Sequence, residues 1–344
     1  MDSLEETLIK YRDRRFIVIE PGGNHGDTLI YKGMMKKLLQ LQIKHMVLKY
    51  DERFKSRLFN ILYFVFWKNF LKILIYSTTK LSETCSLKIN GLDLWLYENL
   101  LVPFKIQAAP TDVILIHGGG NINDLWQGVR LLKSVLKYNP CNIIIVAPQT
   151  YWFNKTCFSS LFSKTKEDIF LFCREKFSYK LLSSLKLTKN VHVFLSNDTA
   201  FYLTKEDFNI FQEDNYSLIC LRTDKESRGI PEIETSKRLL KETSLAQVSK
   251  NKLLIKDLSV IGNFNDFIRL IGTSKQVYTD RLHVAILATI LGKETFLYPN
   301  SYYKNKGVYE YSLSRYPNVT FFPLLPSFDE LKNHVELTNR LEND

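Results

Sequence analysis

The stretch Phe16-Ile17-Val18-Ile19, running into Glu20-Pro21-Gly22-Gly23-Asn24-His25-Gly26-Asp27 and then into a helical pattern ending at Gln42, decides the fold class. Four consecutive apolar residues suit a strand covered on both faces, the condition met in parallel sheets. At its exit, glycines let backbone amides come close to a ligand, and the following helix N-terminus favours an anion. Asp27 is placed to cap that helix, and a turn whose glycines serve geometry alone is the plainer reading of the same residues. The spacing departs from the six-residue dinucleotide fingerprint, so no nicotinamide cofactor is implied.

Outward from this stretch the signal repeats. Val113 to Ile116, Ile143 to Val146, Asp168 to Cys173 and Val191 to Phe194 bring the strands of one sheet to five. Beyond an acidic, loop-like segment from Lys205 to Asn215, a second set comprises Ser217 to Leu221, Gln276 to Tyr278 and Thr295 to Tyr298. Helices are predicted from Asp27 to Gln42, Leu125 to Tyr138, Glu175 to Leu185, Ile233 to Lys250, Leu282 to Leu291 and Ser327 to Leu341. The alternation predicts an α/β protein with mostly parallel sheets. At 344 residues the chain is more than twice a domain of about 150 residues. Two domains are therefore expected, 1–210 and 211–344, with the last helix free to pack back on the first.

With 45% hydrophobic and 24% charged residues the composition excludes disordered and collagen-like classes. A balance of 47 basic against 36 acidic residues gives +11 and favours anionic partners. The basic residues are dispersed and no nucleic-acid motif accompanies them, so no nucleic acid is expected. Five cysteines, odd in number and never in a CxxC pair, support neither a disulfide framework nor a zinc site, and fit a reducing cytoplasm. Met1 to Arg15 carries too many charges for a secretory signal. Leu58 to Tyr76 approaches the length of a membrane span, but Lys68 and Lys72 near its middle cost about 2.5 kcal/mol each. It is expected to be a core helix or a peripheral, interfacial patch at the inner face of the membrane, where its aromatic side chains and lysines would meet lipid.

Two more strand exits carry unusual residues. His117-Gly118-Gly119-Gly120-Asn121-Ile122-Asn123-Asp124 places three glycines behind an apolar strand, where close approach to a ligand explains them better than a turn. A serine hydrolase would also use such a run, but no GxSxG elbow supplies the nucleophile. Thr279-Asp280-Arg281-Leu282-His283 opens an apolar helix; arginine offers a two-pronged grip on carboxylate or phosphate, and histidine can hand over a proton near neutral pH. The plainer reading is an Asp280–Arg281 ion pair beside a core histidine. Arg174 and Arg222 stand at further strand exits and could complete a cationic clamp, although Arg222 reads equally well as a solvated charge. Asp27 and Asp124 are candidate bases that capping would also explain. No residue cluster has metal-ligand spacing, so no metal is expected.

Taken in order, the GGNHGD loop, the HGGGN loop, Cys173-Arg174-Glu175-Lys176-Phe177-Ser178 and the Asp-Arg-Leu-His motif resemble the polysaccharide pyruvyltransferase family, from residue 16 to about 312. Asn300-Ser301-Tyr302-Tyr303-Lys304 is similar to that family's C-terminal lysine region. The resemblance implies two Rossmann-like domains facing across a cleft in a GT-B-like arrangement. It also implies transfer of the carboxyvinyl unit of phosphoenolpyruvate, as donor substrate and without a further cofactor, to a hexose, giving a cyclic pyruvate ketal. The acceptor would be a capsular or exopolysaccharide precursor carried on polyprenyl diphosphate. Carried over by position, the donor site includes Arg174, Arg281 and His283, with Arg281, His283 and Asp27 as the catalytic set. Gly22, Gly23, Asn24, Gly26, His117, Gly118, Gly119, Gly120, Asn121 and Lys304 are the remaining binding candidates. Glu175 stands where the family pattern has Asp. The alternative is a GT-B glycosyltransferase using a nucleotide sugar.

Overall fold

A computed structural model describes residues 3–20, 23–48, 108–126, 128–154, 156–209, 216–222, 224–228, 253–255, 258, 262–327, 329–331, 333 and 335. Gly22, the Leu58–Tyr76 stretch and the helix predicted from Ile233 to Lys250 lie outside these residues. Among the described residues, no helix is long and apolar enough to cross a membrane.

The chain forms two parallel sheets, each in its own compact unit: residues 1–22 with 34–198, and residues 23–33 with 199–344. A single cut at 210 does not provide for the return of 23–33 to the second unit. That return has visible causes. In α2 (His25–Gln40), Leu29 belongs to the second unit's apolar core, and Thr199 donates its hydroxyl to the Ile30 carbonyl at 3.0 Å. The His25 ring lies 5.5 Å from that of Phe267.

The first sheet comprises β1 (Phe16–Ile19), β2 (His45–Leu48), β3 (Val113–Ile116), β4 (Ile143–Gln149), β5 (Ile169–Cys173) and β6 (Val191–Leu195), in the spatial order β2-β1-β3-β4-β5-β6. Every neighbouring pair is parallel. β1, β3, β4 and β5 are buried along their whole length, as their apolar runs predict. β2 escapes the sequence reading because it is an edge strand with partly exposed residues, and it does not present a continuous apolar run. α1 (Ser3–Lys10) precedes β1. α3 (Gly128–Tyr138) buries Val129, Leu131, Leu132, Val135 and Leu136 on one stripe. It starts later than the predicted Leu125 because Asn123 Oδ1 accepts from the amides of Leu125 and Trp126, at 2.9 and 3.1 Å, and fixes a turn there. α4 (Lys176–Ser183) follows β5 and is capped by Glu175.

The second sheet comprises β7 (Tyr216–Cys220), β8 (Leu253–Ile255), β9 (Ser274–Thr279), β10 (Glu294–Leu297) and β11 (Val319–Phe321), in the order β11-β10-β9-β7-β8, again all parallel. β8 and β11 are three-residue edge strands, too short to read from periodicity. α5 (Phe264–Gly272), α6 (Leu282–Ile290) and α7 (Lys304–Tyr311) accompany this sheet. Leu331 and Val335, from the last helical stretch, are buried with Ile219, Leu221, Tyr278 and Tyr298, so the described part of that stretch covers the sheet of its own unit.

Candidate active site

In each sheet the connections change direction at one point, between β1 and β3 in the first and between β7 and β9 in the second. Crevices at such switch points, beyond the carboxyl ends of the strands, are where open α/β sheets hold ligands. In the second unit the charged residues gather there.

Leaving β7, Arg222 donates through Nε and Nη2 to both oxygens of Asp224 at 2.9 Å each, and its Nη1 lies 3.3 Å from Glu226 Oε2. Leaving β9, Asp280 Oδ1 accepts the Arg222 amide at 2.7 Å, which ties the two strand exits together. Arg281 occupies the N-cap of α6 with extended backbone, and its Nη2 lies 3.5 Å from Asp224 Oδ2. The exit of β10 contributes Asn300 and Lys304: Lys304 pairs with Glu226 Oε2, and Asn300 Nδ2 donates to the same oxygen at 3.3 Å. Asp224 is thus the carboxylate at ion-pair distance from Arg281, where the sequence suggested Asp280, and Arg222 is a network member with a buried side chain, not a solvated charge.

Burial sets the electrostatics. It works against the Arg222 charge, but Glu226 and Asp224 more than offset this, so the pKa rises above the usual arginine value. Asp280 is fully buried, and its carboxyl is pushed up to about 6 by burial, opposed by Arg222 and Arg281. Asp280 Oδ2 is buried without a hydrogen-bond partner.

The GGNHGD loop belongs to this unit. Asn24 caps α2 by accepting the Gly26 amide at 2.8 Å, and Asp27 Oδ2 accepts the Asn24 amide in return at 3.1 Å. Capping thus accounts for one oxygen of Asp27. Gly26 has a different reason to be glycine: a Cβ there would stand 2.8 Å from both Cβ and Nδ1 of His283. The His283 side chain therefore lies against the first turn of α2. His283 is the second residue of α6, so it and Arg281 do not share an extended face as their spacing suggested; the N-terminus of α6 holds both. The sequence-predicted Gly23, Asn24, Gly26, Asp27, Arg281, His283 and Lys304 all lie in the second unit.

The other candidates lie in the first unit. Gly119 has φ 129°, a region open to glycine, and bridges to β4: its amide donates to Pro148 O and its carbonyl accepts from Thr150 N, both at 2.9 Å. This glycine is thus committed to main-chain pairing, where the sequence pointed to ligand approach. His117 Nδ1 donates to the Gly118 carbonyl at 2.6 Å, and its Nε2 lies 3.2 Å from the Asn121 amide nitrogen. Gly120 O accepts from Asn123 Nδ2 at 2.8 Å. Arg174 reads differently from its cationic-clamp expectation: its side chain is 1% exposed, with Nε on Thr150 Oγ1 at 2.8 Å and Nη1 on Asp198 Oδ2 at 2.7 Å. Asp124 accepts the Asn154 amide at 2.6 Å and the Thr156 hydroxyl. Glu175 caps α4 through the amides of Phe177 and Ser178, and burial raises its pKa against the pull of those bonds and of Arg174.

The sequence reading missed Asp224, Glu226 and Asn300. The alternation Arg222-Thr223-Asp224-Lys225-Glu226 at a strand exit was visible, but a partner such as Lys304, 78 positions away from Glu226, was not. Among the described residues, no group of three or more His, Cys, Asp or Glu could hold a metal ion.

A two-sheet parallel α/β enzyme with a charged cluster of arginine, lysine and carboxylate groups at a strand switch point is the class that fold and site define. Residues 24–302 match the polysaccharide pyruvyl transferase family, and the chain belongs to that family and is a transferase. It is 26% identical over 272 residues to a Bacillus subtilis (strain 168) protein named "Putative pyruvyl transferase EpsO", covering 70% of this chain and 81% of that one. The fold is also that of the crystallised protein KP1_0663 from Klebsiella pneumoniae subsp. pneumoniae NTUH-K2044, with TM-score 0.58 and 24% identity over 93% of this chain and 97% of the other.

Proposed function

We propose that the chain transfers the carboxyvinyl unit of phosphoenolpyruvate to two hydroxyls of a hexose in a polysaccharide precursor, closing a pyruvate ketal, with the donor bound at the second unit's switch point. The observation that carries this reading is the placement of His283 against the first turn of α2, two residues from Arg281 in the cationic cluster. A donor that is a multiply charged anion needs guanidinium and helix N-termini to hold it, and both converge there.

Arg281 grips the donor's carboxylate or phosphate and stabilises charge as it shifts in the transition state. His283, as imidazolium, gives its proton to the methylene carbon, turning CH2 into CH3 and leaving C2 electron-poor. One sugar hydroxyl bonds to C2, the C2–O bond to phosphate breaks, and the second hydroxyl closes the ring; each hydroxyl gives up one proton, one replacing that lost by His283 and the other leaving with phosphate. Lys304, paired with Glu226, is the third cation of the same cluster. Arg174, sealed on Asp198, supports the first unit's strand exits and does not touch the donor in this reading.

A lipid-linked acceptor on the cytoplasmic face is the form of substrate the reading takes, in line with the +11 charge and the aromatic and lysine residues of Leu58 to Tyr76. The test is incubation with phosphoenolpyruvate and a panel of lipid-linked or nitrophenyl hexosides. Phosphate release matched to the mass gain of a ketal supports the proposal. Sugar transfer from a nucleotide sugar, with phosphoenolpyruvate untouched, replaces it with the glycosyltransferase reading. Activity is expected to survive exhaustive chelation.

A further inference from the structure

Transfer to a hydroxyl needs a group that takes the hydroxyl proton. Asp27 has one oxygen committed to the α2 cap, and Asp124 accepts from Asn154 and Thr156. Within the second unit's cluster, Glu226 is 3% exposed and is held by Arg222, Lys304 and Asn300. Asp280 is 1% exposed. Asp224 is more open than Glu226 and Asp280: its side chain is 31% exposed, and its carboxylate accepts from Arg222 through Nε and Nη2 and from the Glu226 amide at 3.0 Å, and lies 3.5 Å from Arg281.

The cluster also constrains what happens when a ligand arrives. Three cations, Arg222, Arg281 and Lys304, are matched by three carboxylates, Asp224, Glu226 and Asp280. An anion entering so compensated a site must take a cation from a carboxylate already there. The Arg281–Asp224 contact is the longest of the ion pairs in the network and involves its most exposed carboxylate, so it is the one that yields at least cost.

We propose that Asp224 is the acceptor-side base: the anionic donor takes Arg281 from it, and the carboxylate, still anchored by Arg222 and the Glu226 amide but with its Oδ2 relieved of one cation, accepts the proton of the attacking hydroxyl. In that step the hydroxyl oxygen bonds to C2 of the donor, its O–H bond breaks, and the proton rests on an Asp224 oxygen until the departing phosphate takes it, while the proton of the second hydroxyl restores His283. The assignment rests on the donor reading above. It gives Asp224 two opposite effects, competition with the donor in the resting site and proton removal in the loaded one.

The test separates them in the full chain. Inorganic phosphate is titrated calorimetrically into wild type, Asp224→Asn and Asp224→Ser, with turnover measured on the same samples. Phosphate binding is expected to tighten about tenfold in both variants, as removal of a competing charge a few ångströms from Arg281 implies. Turnover is expected to fall by about 10² or more, and added formate, supplying a carboxylate in the space vacated in Asp224→Ser, restores part of it. Turnover within about threefold of wild type, or a fall that formate does not relieve, overturns the base assignment. Weaker phosphate binding overturns the exchange at Arg281 and makes Asp224 a support for the arginine pair. If phosphoenolpyruvate proves not to be the donor, turnover is absent in every sample, while the phosphate titration still reads the exchange.

Discussion

Arg174 and Arg281 each stand at the exit of a buried parallel strand, yet the structure treats them differently. Arg174 pairs at 2.7 Å with Asp198, and the two side chains are 1% and 0% exposed. Arg281 faces a carboxylate that is 31% exposed, inside a network of three cations and three carboxylates. A sealed ion pair is suited to positioning strands, whereas under the proposal above the longer, more open Arg281–Asp224 contact yields Arg281 to an arriving anion. Both arginines follow a buried parallel strand, and what distinguishes them is the place of that strand, β9 beside a switch point and β5 away from one, together with what neutralises each side chain and whether water reaches the neutraliser.

The comparison can be broken most forcefully at Arg174. Arg174→Ala leaves Asp198 charged and buried, and should cost about 3–5 kcal/mol in denaturant unfolding. Retained stability with weakened binding of the donor would make Arg174 a binding residue after all. Next comes Asp280, whose carboxyl sits at about 6 instead of the usual 3.8, a difference of about 3 kcal/mol. The folded state holds that proton more tightly than the unfolded chain. The resulting stability is fully present below about pH 4 and is lost as pH rises through about 6. Asp280→Asn, always neutral, should flatten that decline; parallel urea midpoints of wild type and variant at the two ends of the window would remove the assignment.

His283→Ala tests the binding side of the comparison. It should lower turnover by about 10² or more while leaving thermal stability near wild type, because the side chain is only partly buried. Near-normal turnover removes His283 from the acid role. The smallest effect is expected at Asp27. Asp27→Asn keeps an acceptor for the Asn24 amide and should cost about 1 kcal/mol or less, with turnover retained, as a capping role requires. A loss of turnover comparable to that of His283→Ala would return Asp27 to the catalytic set.

Much of the frame was legible in the chain. The apolar runs of β1, β3, β4 and β5 are strands because a segment buried on both faces has no polar side to show. β8 and β11 were not legible, since three-residue edge strands carry no periodicity, and β2, as long as β1, was missed because it opens on a histidine and is only partly buried. The resemblance carried the family, and the residue types at Arg281 and His283 by themselves point to an anion and a proton. The HGGGN loop shows the limit: the sequence asked why three glycines occur together, and only the backbone shows that Gly119 answers by pairing with β4 at a positive φ.

The sequence by itself determined the layered α/β class and the identity of the loops, because apolar run length, glycine placement and strand-to-helix order are local properties. Tertiary structure alone decided the charge pairing. Which carboxylate neutralises which arginine depends on strand order, and strand order brings together Arg222, Asp280 and Lys304 from three separate exits of one sheet. The return of residues 23–33 to the second unit, which sets Gly26 against His283, is likewise a matter of packing. A helix joins whichever core buries its apolar face, and no local pattern names that core in advance.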